Sequence, residues 1–475
     1  MNNIHRESEK SKLLIVISDD LFVRNYITSD ALSSVKEEYD CTFLVSKKIS
    51  HKDSFSDLER VVYYNSSKQA NKAHFRIFNL LMWRYRAKSK SFRFRIRRTN
   101  ALSFQFLVKT HVLLKLAKIA WRLARYLSGR IFYWTFSNRF IFPFYFNYLK
   151  SNLPINQDIE KAIMSIEPSL VLFPSSAYDP DGNDVMRVCN QSKISTLFLV
   201  DNWDNLSSKS LFWVKPAFIG VWGEQSAEHA IDIQGFDKEQ ITCLGTPRYD
   251  QYFRLRQDRL APHFDFKYIL FVGTFMPFDE AGALVQLNDI FARHQDDFAG
   301  VKILYRPHPW RANSDSIIGM DLEHVVLDPQ LSDSYTKKNY SVAVQPSISY
   351  YPSLLQNAEF VVGGMTSMLI ETLIFRKHFL ALVYDDGKYL TSPSNVLKNY
   401  THFEGLENVE GINFCDHLTK LESVLLDVWA KRNAIDDESL DNQRRYYYYD
   451  EVRPYAERLS NLCESILNSN NAYGR

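Results

Sequence analysis

A single histidine lies between two prolines in the segment ILYRPHPW, directly after an apolar run. Pro307 restricts Arg306 to extended backbone and Pro309 restricts His308 in the same way, so the imidazole is fixed without a surrounding helix. Fixing a donor in advance lowers the entropic cost of binding an anion. The segment therefore indicates a phosphate-binding histidine, although a His-Pro dipeptide alone is also typical of a structural turn.

A second segment combines glycines with hydroxyl side chains. The run EFVVGGMTSMLIETLIF places Gly363 and Gly364 at the end of a predicted strand, and Thr366 and Ser367 at the start of a predicted helix. Glycine lets a backbone approach a phosphate closely, a helix N-terminus favours negative charge, and either hydroxyl is suited to cap the helix. Glu371 in the first turn is suited to a ribose hydroxyl. An ordinary strand, turn and capped helix would show the same pattern.

Two further loops place carboxylates after predicted strands. In SSAYDPDG, Asp179 and Asp181 form either a metal-binding Asp-x-Asp pair or, as the residue types favour, a Pro-Asp-Gly turn that caps the next helix. The other loop, VDNWDNLSSK, combines carboxylates with an aromatic ring and a cation. Its candidate site residues, which could bind or act on a substrate, are Asp201, Trp203, Asp204 and Lys209.

These loops need a scaffold that brings strand ends together, and the sequence predicts two sets of parallel strands. Continuous apolar strands that alternate with helices predict a sheet covered on both faces, and ligands of such sheets bind at the carboxyl ends of the strands. We therefore predict an α/β fold of two Rossmann-like halves with a boundary near residue 260. The first set is LLIVI, TFLV, SLVLF, STLFLV, FIGVW and ITCLG; the second is YILFVG, KILYR, HVVLD and EFVVGG, with FLALVY last.

Length and composition agree with this architecture. A chain of 475 residues is too long for one ordinary core, and 45% hydrophobic with 24% charged residues is typical of a globular protein. The five cysteines are scattered without a CxxC pair, which argues against a disulfide framework or a zinc ribbon and fits a reducing compartment. We expect no signal peptide and no membrane-spanning segment, and hence a cytoplasmic protein.

The net charge of +2 conceals a strongly basic segment. From Arg60 to Gln157 there is no acidic residue but 20 Lys and Arg, whereas the rest of the chain holds 37 basic and 55 acidic residues. Helical spacing in this segment places bases in one arc opposite apolar residues, which predicts a cationic amphipathic helix in an insert of about residues 73–150. The bases expected to face a membrane are Lys115, Lys118, Arg122 and Arg125.

An anionic membrane surface is the partner that this basic insert favours, since aromatic residues are also frequent there. Two other interpretations remain open at this point. The helix could pack on its domain with a solvated basic face, or bases interleaved with aromatics could bind nucleic acid. We predict the membrane surface and no nucleic acid.

Taken in order, the motifs resemble those of bacterial GT-B transferases that build surface polysaccharides. The families are the CDP-glycerol glycerophosphotransferases and the capsular sialic acid and Kdo transferases. The resemblance covers roughly residues 165–465, includes the segment RRYYYYDE, and is strongest over 241–250, 302–309 and 359–377. It implies a GT-B fold, in which two Rossmann-like domains face a cleft. The implied divisions are 1–260 with the insert, 261–450, and a C-terminal helix in 451–475 that crosses back to the first domain.

The resemblance also implies roles for the site residues. His308, Thr366 and Ser367 would hold the phosphate of a nucleotide donor and Glu371 its ribose, with Arg306, Gly363 and Gly364 in the same site. A CMP, CDP or UDP sugar would be the donor. No metal or other cofactor is implied, because the helix dipole, His308 and Arg306 can neutralise the leaving phosphate.

The sequence departs from these families at the catalytic base. The glycerophosphotransferases have Trp-His-Gly where this chain has Trp203-Asp204-Asn205. The sialyltransferases have an acid-acid-Gly stretch that Asp179-Pro180-Asp181-Gly182 matches only in part. Inverting glycosyl transfer needs a general base, and we expect Asp204 first and Asp181 second in that role.

The implied function is inverting, metal-independent glycosyl transfer in the synthesis of a capsule, an O-antigen or a teichoic-acid-like polymer. The acceptor would be a glycan or a lipid-linked glycan at the inner face of the cell membrane. Three alternatives remain: a CDP-glycerol-type polyol-phosphate transferase, a non-hydrolysing nucleotide-sugar 2-epimerase, and an inactive GT-B-like scaffold tethered to the membrane.

Overall fold

The protein is described by a computed structural model that contains two compact units. The first unit comprises Met1–Ile96, Leu102–Asp250 and Tyr449–Arg475, and the second comprises Arg97–Ala101 and Gln251–Tyr448. The structure describes residues 10–50, 52–66, 68–108, 115–175, 179–308, 317, 319–330, 349–449 and 453–472.

The first unit is built on a seven-stranded parallel sheet. Its spatial order is β3-β2-β1-β4-β5-β6-β7, so the chain starts in the middle, fills one side and returns to fill the other. The strands are β1 (Lys12–Ile17), β2 (Asp40–Ser46), β3 (Val61–Tyr64), β4 (Leu170–Ser175), β5 (Ser195–Val200), β6 (Phe218–Val221) and β7 (Ile241–Cys243).

Helices connect these strands and form the insert, and the last of them continues the chain from β7 into the second unit. They are α1 (Asp20–Phe22), α2 (Ser33–Glu38), α3 (Lys68–Arg84), α4 (Lys90–Val108), α5 (Lys115–Phe136), α6 (Phe142–Ser151), α7 (Gln157–Ile166), α8 (Pro180–Ser192), α9 (Glu224–Asp232) and α10 (Pro247–Gln257). Short π-helical turns span Val23–Ile27 and Asn205–Lys209.

The second unit is built on a six-stranded parallel sheet in the order β10-β9-β8-β11-β12-β13. Its strands are β8 (Lys267–Val272), β9 (Val301–Arg306), β10 (Val325–Leu327), β11 (Val361–Gly363), β12 (Phe379–Leu382) and β13 (Ile412–Cys415). Its helices are α11 (Glu280–Arg293), α12 (Tyr350–Asn357), α13 (Met368–Ile374), α14 (Pro393–Asn399), α15 (Leu421–Lys431) and α16 (Asp437–Tyr447).

Each sheet has its own hydrophobic core. Side chains of β8, β9 and β12 form one core with α11 and α15, and side chains of β1, β2 and β4 form the other with α2. The C-terminal helix α17 (Tyr455–Ala472) belongs to the first unit. Its buried side chains Tyr455, Leu459, Cys463 and Ile466 lie in the core of the first sheet.

The basic insert forms helices α3 to α6. Part of it packs on the first unit, because Ile77, Leu81 and Phe92 share a small core with Leu211 and Ile233. For α3 and the start of α4, this packing agrees with the alternative in which the insert packs on its own domain. The side chains of Lys115, Lys118, Arg122 and Arg125, predicted to face a membrane, lie outside the described residues.

In the described part of the chain, no helix is both long enough and apolar enough to cross a bilayer. The five cysteines are all free thiols, and Cys189, Cys415 and Cys463 are buried.

The structure confirms the predicted fold class of two Rossmann-like α/β halves and corrects the strand count. FLALVY is not the last strand, because β13 follows it at the edge of the second sheet. In the first sheet β3 was not predicted. Both missed strands are edge strands of four residues, and neither is continuously buried: residues 62 and 63 of β3 are exposed. A fully buried apolar run was the signal used, and neither strand has one.

Candidate functional site

In both sheets the chain direction across the sheet reverses between two neighbouring parallel strands. The reversal lies between β1 and β4 in the first sheet and between β8 and β11 in the second. At such a point the loops at the carboxyl ends separate to opposite faces and leave a crevice, which is where open α/β sheets bind ligands. Of the candidate residues, Asp179 and Asp181 follow β4, and the segment 363–367 ends β11 and follows it, so these lie at strands that flank a reversal. His308 follows β9, and Asp201 and Asp204 follow β5, each one strand further from the reversal.

In the second unit, His308 lies beside the loop that follows β8. The Gly273 amide donates a hydrogen bond to the Arg306 carbonyl over 2.8 Å. A Cβ atom added to Gly273 would lie 2.7 Å from the His308 backbone nitrogen and 3.0 Å from the Pro307 Cα. The half-buried imidazole has its ring centroid 5.6 Å from that of Phe275 in the same loop. Pro307 and His308 are thus held against residues 273–275.

The two predicted glycines contact the same loop from the other side. A Cβ atom on Gly363 would lie 2.6 Å from the Val272 carbonyl oxygen, and one on Gly364 would lie 2.9 Å from the Phe278 ring. Thr274 Cγ2 would be 3.1 Å from the Cβ of Gly364. These contacts explain why glycine occupies both positions, because any side chain there would push the β8 and β11 loops apart.

The hydroxyls and the carboxylate predicted near a nucleotide differ in their exposure. Ser367 is exposed and Thr366 half-buried, and the Thr366 hydroxyl accepts a 3.4 Å hydrogen bond from the Met368 amide at the start of α13. The N-cap residue of α13 is Ser367, which makes no side-chain capping hydrogen bond, so the long Thr366 bond lies one residue before the capping position. Glu371 is fully buried, with 0% of its surface exposed. Its contact with a ribose stays a prediction.

Arg306 ends β9 and is used within the protein. Its guanidinium donates to the Tyr351 hydroxyl over 3.0 Å and lies 4.6 Å from the centre of that ring, and only 8% of the residue is exposed. Burial raises the pKa of the nearby Asp328, while a hydrogen bond from Tyr350 and the charge of Arg306 oppose the shift. Arg306 is therefore suited to a long-range electrostatic role more than to a direct phosphate contact.

A buried glutamate, missed in the sequence, anchors the loop after β8. Glu280 at the start of α11 is 2% exposed and accepts hydrogen bonds from the Thr274 amide at 3.0 Å and the Tyr305 hydroxyl at 2.6 Å. The Thr274 hydroxyl donates to the Met276 carbonyl over 2.6 Å. In the sequence, the Gly-Thr pair after the strand YILFV is the pattern that could have identified this loop, since a similar Gly-Gly-x-Thr turn follows β11.

The loop after β12 braces the same region. The Asp279 amide donates to Asp386 over 2.9 Å, Lys388 pairs with Asp279 at 2.6 Å, and the Thr391 hydroxyl donates to the Pro277 carbonyl over 2.7 Å. No local sequence pattern identifies these long-range contacts. Loops from four neighbouring strands, β9, β8, β11 and β12, thus meet at one edge of the second sheet.

In the first unit, Asp179 and Asp181 play structural roles at the start of α8. Asp179 caps the helix by accepting a 3.1 Å hydrogen bond from the Asp181 amide, and Ser18 after β1 donates to its carboxylate. Burial and then the charge of Asp181 raise the pKa of Asp179. Asp181 is 3% exposed and accepts from Tyr64 at 3.1 Å and Ser66 at 2.6 Å. This agrees with the helix-capping turn, and a catalytic role for Asp181 stays a prediction.

Asp201 is a buried carboxylate whose pKa is raised towards neutral pH. It lies at the end of β5, where its amide donates to the Ser175 carbonyl of β4 over 3.3 Å. Its carboxylate accepts from Asn25, which follows β1, at 3.1 Å, and from Asn202 at 2.8 Å. Burial raises the pKa of Asp201 to about 6, although Arg24 and the Asn25 hydrogen bond oppose the shift. Asp201 therefore lies among the loops of β1, β4 and β5.

The remaining candidates lie in the π-helical turn after β5. Asp204 pairs with Lys209 at 2.9 Å and also accepts from the Ser208 hydroxyl at 3.1 Å. Its side chain is 22% exposed, so it is accessible where Asp181 and Asp201 are not. Trp203 is buried, and its indole donates to Gln225 over 2.7 Å. An acceptor therefore reaches Asp204 and Lys209 more readily than Trp203.

Among the described residues, no three His, Cys, Asp or Glu side chains are grouped so that they could hold a metal ion. The prediction that the reaction needs no metal is untested by this observation.

Comparison with known proteins identifies the fold. No protein-family profile and no curated protein matches the sequence. A solved protein from Listeria monocytogenes, assigned as a UDP-N-acetylglucosamine 2-epimerase, is similar with a TM-score of 0.50 at 9% identity, over 98% of each chain. The S. aureus protein MnaA in complex with UDP has a TM-score of 0.48 at 11% identity, over 96% of this chain and 97% of that one. The glycotransferase of kitacinnamycin has a TM-score of 0.48 at 10% identity, covering 96% and 99%.

At such low identity, the likeness to the Listeria protein concerns the fold alone. It agrees with the two parallel sheets and their reversals in strand order. The chain has the GT-B fold, with two Rossmann-like domains.

Proposed function

We propose that the protein is an enzyme that acts on a nucleotide-activated sugar, whose phosphate binds at the carboxyl edge of the second sheet. The observation that supports this most is the convergence of His308 and Gly364 on the loop 273–278, with Thr366 and Ser367 directly after Gly364 in the chain. An imidazole, two hydroxyls and backbone amides beside a strand-order reversal suit an anionic ligand. The GT-B fold agrees with this proposal, since the similar Listeria protein is assigned as an epimerase of a nucleotide sugar, UDP-N-acetylglucosamine.

We propose Asp201 as the general base of this enzyme, in place of the predicted Asp204 or Asp181. Because only 4% of Asp201 is exposed, this role requires the loops after β1 and β5 to open when the substrate binds. A base works best when its pKa lies near the working pH, and burial raises the pKa of Asp201 to about 6. Asp201 also lies beside the strand-order reversal of the first sheet, next to Asn25. Asp204, with its Lys209 partner, is suited to orient a substrate hydroxyl.

Two reactions use such a site, and different observations favour each. Epimerisation at C2 of UDP-N-acetylglucosamine is favoured by the fold likeness to the Listeria protein. Inverting transfer of the sugar to a glycan or lipid-linked acceptor is favoured by the basic insert between Arg60 and Gln157, because an epimerase needs no acceptor.

One incubation separates the two reactions. The purified protein is mixed with UDP-N-acetylglucosamine in heavy water without an acceptor, and the sugar is followed by proton NMR. An epimerase converts the sugar to its C2 epimer and exchanges the C2 proton for deuterium. A transferase leaves the donor intact until a glycan or lipid-linked acceptor is added and then releases the nucleotide. CMP and CDP sugars are tested in parallel, and no reaction in either arm with any donor contradicts the proposal.

A further inference from the structure

Helices α5 and α6 carry an exposed apolar surface that the proposed reaction does not use. The two helices pack against each other through Phe136 and Tyr145, whose ring centroids are 4.3 Å apart. The side chains that remain outside are 62% to 80% exposed. We call them the aromatic face: Ile131, Trp134, Phe140, Phe144 and Tyr148.

Their spacing shows that these residues form stripes along the helices. Ile131 and Trp134 continue the exposed positions Leu123 and Leu127 along α5, at steps of four and three residues. Phe140, Phe144 and Tyr148 follow one another at steps of four on and before α6. Single exposed apolar residues are normal on a protein surface, but a contiguous set marks a binding surface.

A cavity rich in arginine adjoins the aromatic face. It has a volume of about 390 Å³ and is lined by Trp134 together with Arg84, Arg86 and Arg139, and by Ala87, Ser137 and Asn138. The Arg139 guanidinium lies 4.6 Å from the Phe140 ring centre, and that of Arg84 lies 5.7 Å from the Phe142 ring centre. Within the described part of the chain, none of the three arginines forms an ion pair with a carboxylate.

Charge decides what ligand this cavity suits. There is no acidic residue between Arg60 and Gln157 that could neutralise the three guanidiniums locally. Guanidinium groups bind phosphates in bidentate geometry, and the NH2 group of the exposed Asn138 adds hydrogen-bond donors. The buried Ser137 hydroxyl donates to the Trp134 carbonyl over 3.3 Å and so belongs to the wall of the cavity. The cavity therefore suits a phosphate group, beside a surface that suits hydrocarbon.

We propose that the aromatic face and the arginine cavity dock the protein on an anionic phospholipid bilayer. The aromatic and aliphatic side chains enter the headgroup region, and Arg84, Arg86 and Arg139 bind lipid phosphates. Exposed aliphatic side chains such as Ile131 favour a bilayer over a nucleic acid, which would use rings and bases alone. This inference rests on α3, α5 and α6 and does not depend on which sugar reaction the enzyme performs.

Vesicle co-sedimentation of the full-length protein tests the docking surface. Vesicles of phosphatidylcholine with about one third phosphatidylglycerol are compared with vesicles of phosphatidylcholine alone at physiological salt. Wild-type protein should bind the anionic vesicles at least tenfold more strongly. The variant R84Q/R86Q/R139Q should lose roughly 100-fold in affinity for anionic vesicles, since each base near the surface contributes about fivefold. The variant W134S/F144S should lose at least tenfold.

Matched controls separate the surface from general charge and apolarity. The variant K47Q/K161Q/K238Q removes three exposed charges elsewhere on the first unit, and M164S removes a 55% exposed apolar side chain. Both should bind vesicles as the wild type does. All variants should keep the wild-type melting temperature, because the exchanged side chains lie at the surface.

Four outcomes would overturn the proposal. They are equal binding of wild type to neutral and anionic vesicles, no vesicle binding at all, undiminished binding by R84Q/R86Q/R139Q, and undiminished binding by W134S/F144S. Two assays assign the surface to another partner if vesicle binding is absent. Loss of oligonucleotide binding in the arginine variant would assign it to nucleic acid, and a dimer that W134S/F144S converts to monomer would assign it to a second copy of the chain.

Discussion

Gly273 lies so close to His308 that a Cβ atom at position 273 would come within 2.7 Å of the His308 backbone nitrogen. The same added atom would lie 2.8 Å from Glu280 Oε2. The β8 loop, residues 307 and 308 and the start of α11 therefore fit together only because residue 273 has no side chain. The position of the imidazole depends on this fit.

Replacing Gly273 with alanine should weaken both folding and ligand binding. The methyl group would meet backbone atoms of residues 307 and 308, which cannot turn away as a flexible side chain can. We expect a loss of about 1–3 kcal/mol in the free energy of unfolding, as for an overpacked core. Denaturant titration measures this loss, and nucleotide affinity should fall with it. Gly129→Ala is the control, because its new methyl group would meet nothing within 4 Å and should stabilise α5 slightly. Equal stability of the two variants would contradict the account.

Tyr305→Phe should disturb the β8 loop more than Tyr268→Phe does. Both tyrosines are buried, but the Tyr305 hydroxyl donates to the Glu280 carboxylate and the Tyr268 hydroxyl to the Leu354 carbonyl. A hydrogen bond to a charged group contributes about 1.5–3 kcal/mol, against about 1 kcal/mol for a neutral pair. Thermal and urea unfolding should rank the variants in that order. Only Tyr305→Phe should also weaken nucleotide binding, since Glu280 holds the Thr274 amide. The opposite ranking would show that Glu280 does not stabilise the β8 loop.

Asp201→Asn should change how stability depends on pH. In the folded protein burial raises the pKa of Asp201 to about 6, whereas an exposed aspartate has a pKa of about 4. The folded state then binds the proton more tightly than the unfolded chain, so the free energy of unfolding falls as the pH rises from about 4 to about 6. The asparagine variant lacks this fall. It should match the wild type below pH 4 and exceed its stability above pH 6, by an amount on the order of 3 kcal/mol.

The same variant tests the proposed base. If Asp201 removes the proton, wild-type activity should rise with pH through about 6, and Asp201→Asn should lose activity at every pH. Asp204→Asn is the matched comparison, since it keeps the π-helical turn and lies three residues away. An unchanged pH profile in Asp201→Asn would return the role to Asp204.

Glu371→Gln should reveal whether the buried carboxylate recognises a ribose. Wild-type protein should bind UDP more tightly than 2′-deoxy-UDP, because Glu371 would accept a hydrogen bond from the ribose hydroxyl. The variant should show a smaller preference, because the glutamine amide oxygen is an uncharged and weaker acceptor than the carboxylate. Isothermal titration measures both affinities. If wild type already binds both nucleotides equally, the fully buried Glu371 belongs to the core of α13 and not to the site.

The sequence predicts the fold well because buried parallel strands are continuous apolar runs. LLIVI and YILFVG are buried at every position inside β1 and β8. The edge strands β3 and β13 are short and partly exposed, so neither forms a long continuous apolar run, and the sequence does not predict them. The order of strands in a sheet follows from chain connectivity and packing in three dimensions, which no local run of residues specifies.

The candidate site was predictable in part for the same reason. His308 and the pair Gly363 and Gly364 follow strand ends, and strand ends of a parallel sheet share one edge. The supporting residues Glu280 and Asp386 reach the loop from a helix and a distant turn, so their role appears only in the contacts. The environment that raises the pKa of Asp201 likewise depends on burial that sequence spacing does not show.

Nucleotide binding by wild-type and His308→Ala proteins, measured by isothermal titration calorimetry with UDP, CDP and CMP, tests the central claim most directly. At least one nucleotide should bind the wild type, and His308→Ala should weaken that binding by roughly 10-fold to 100-fold, the effect of losing a hydrogen bond to a charged group. His294→Ala, whose imidazole follows the C-terminus of α11 and pairs with Glu422, should bind as the wild type does. No binding of any nucleotide to wild type, or equal affinity in His308→Ala, would contradict a phosphate site at the carboxyl edge of the second sheet.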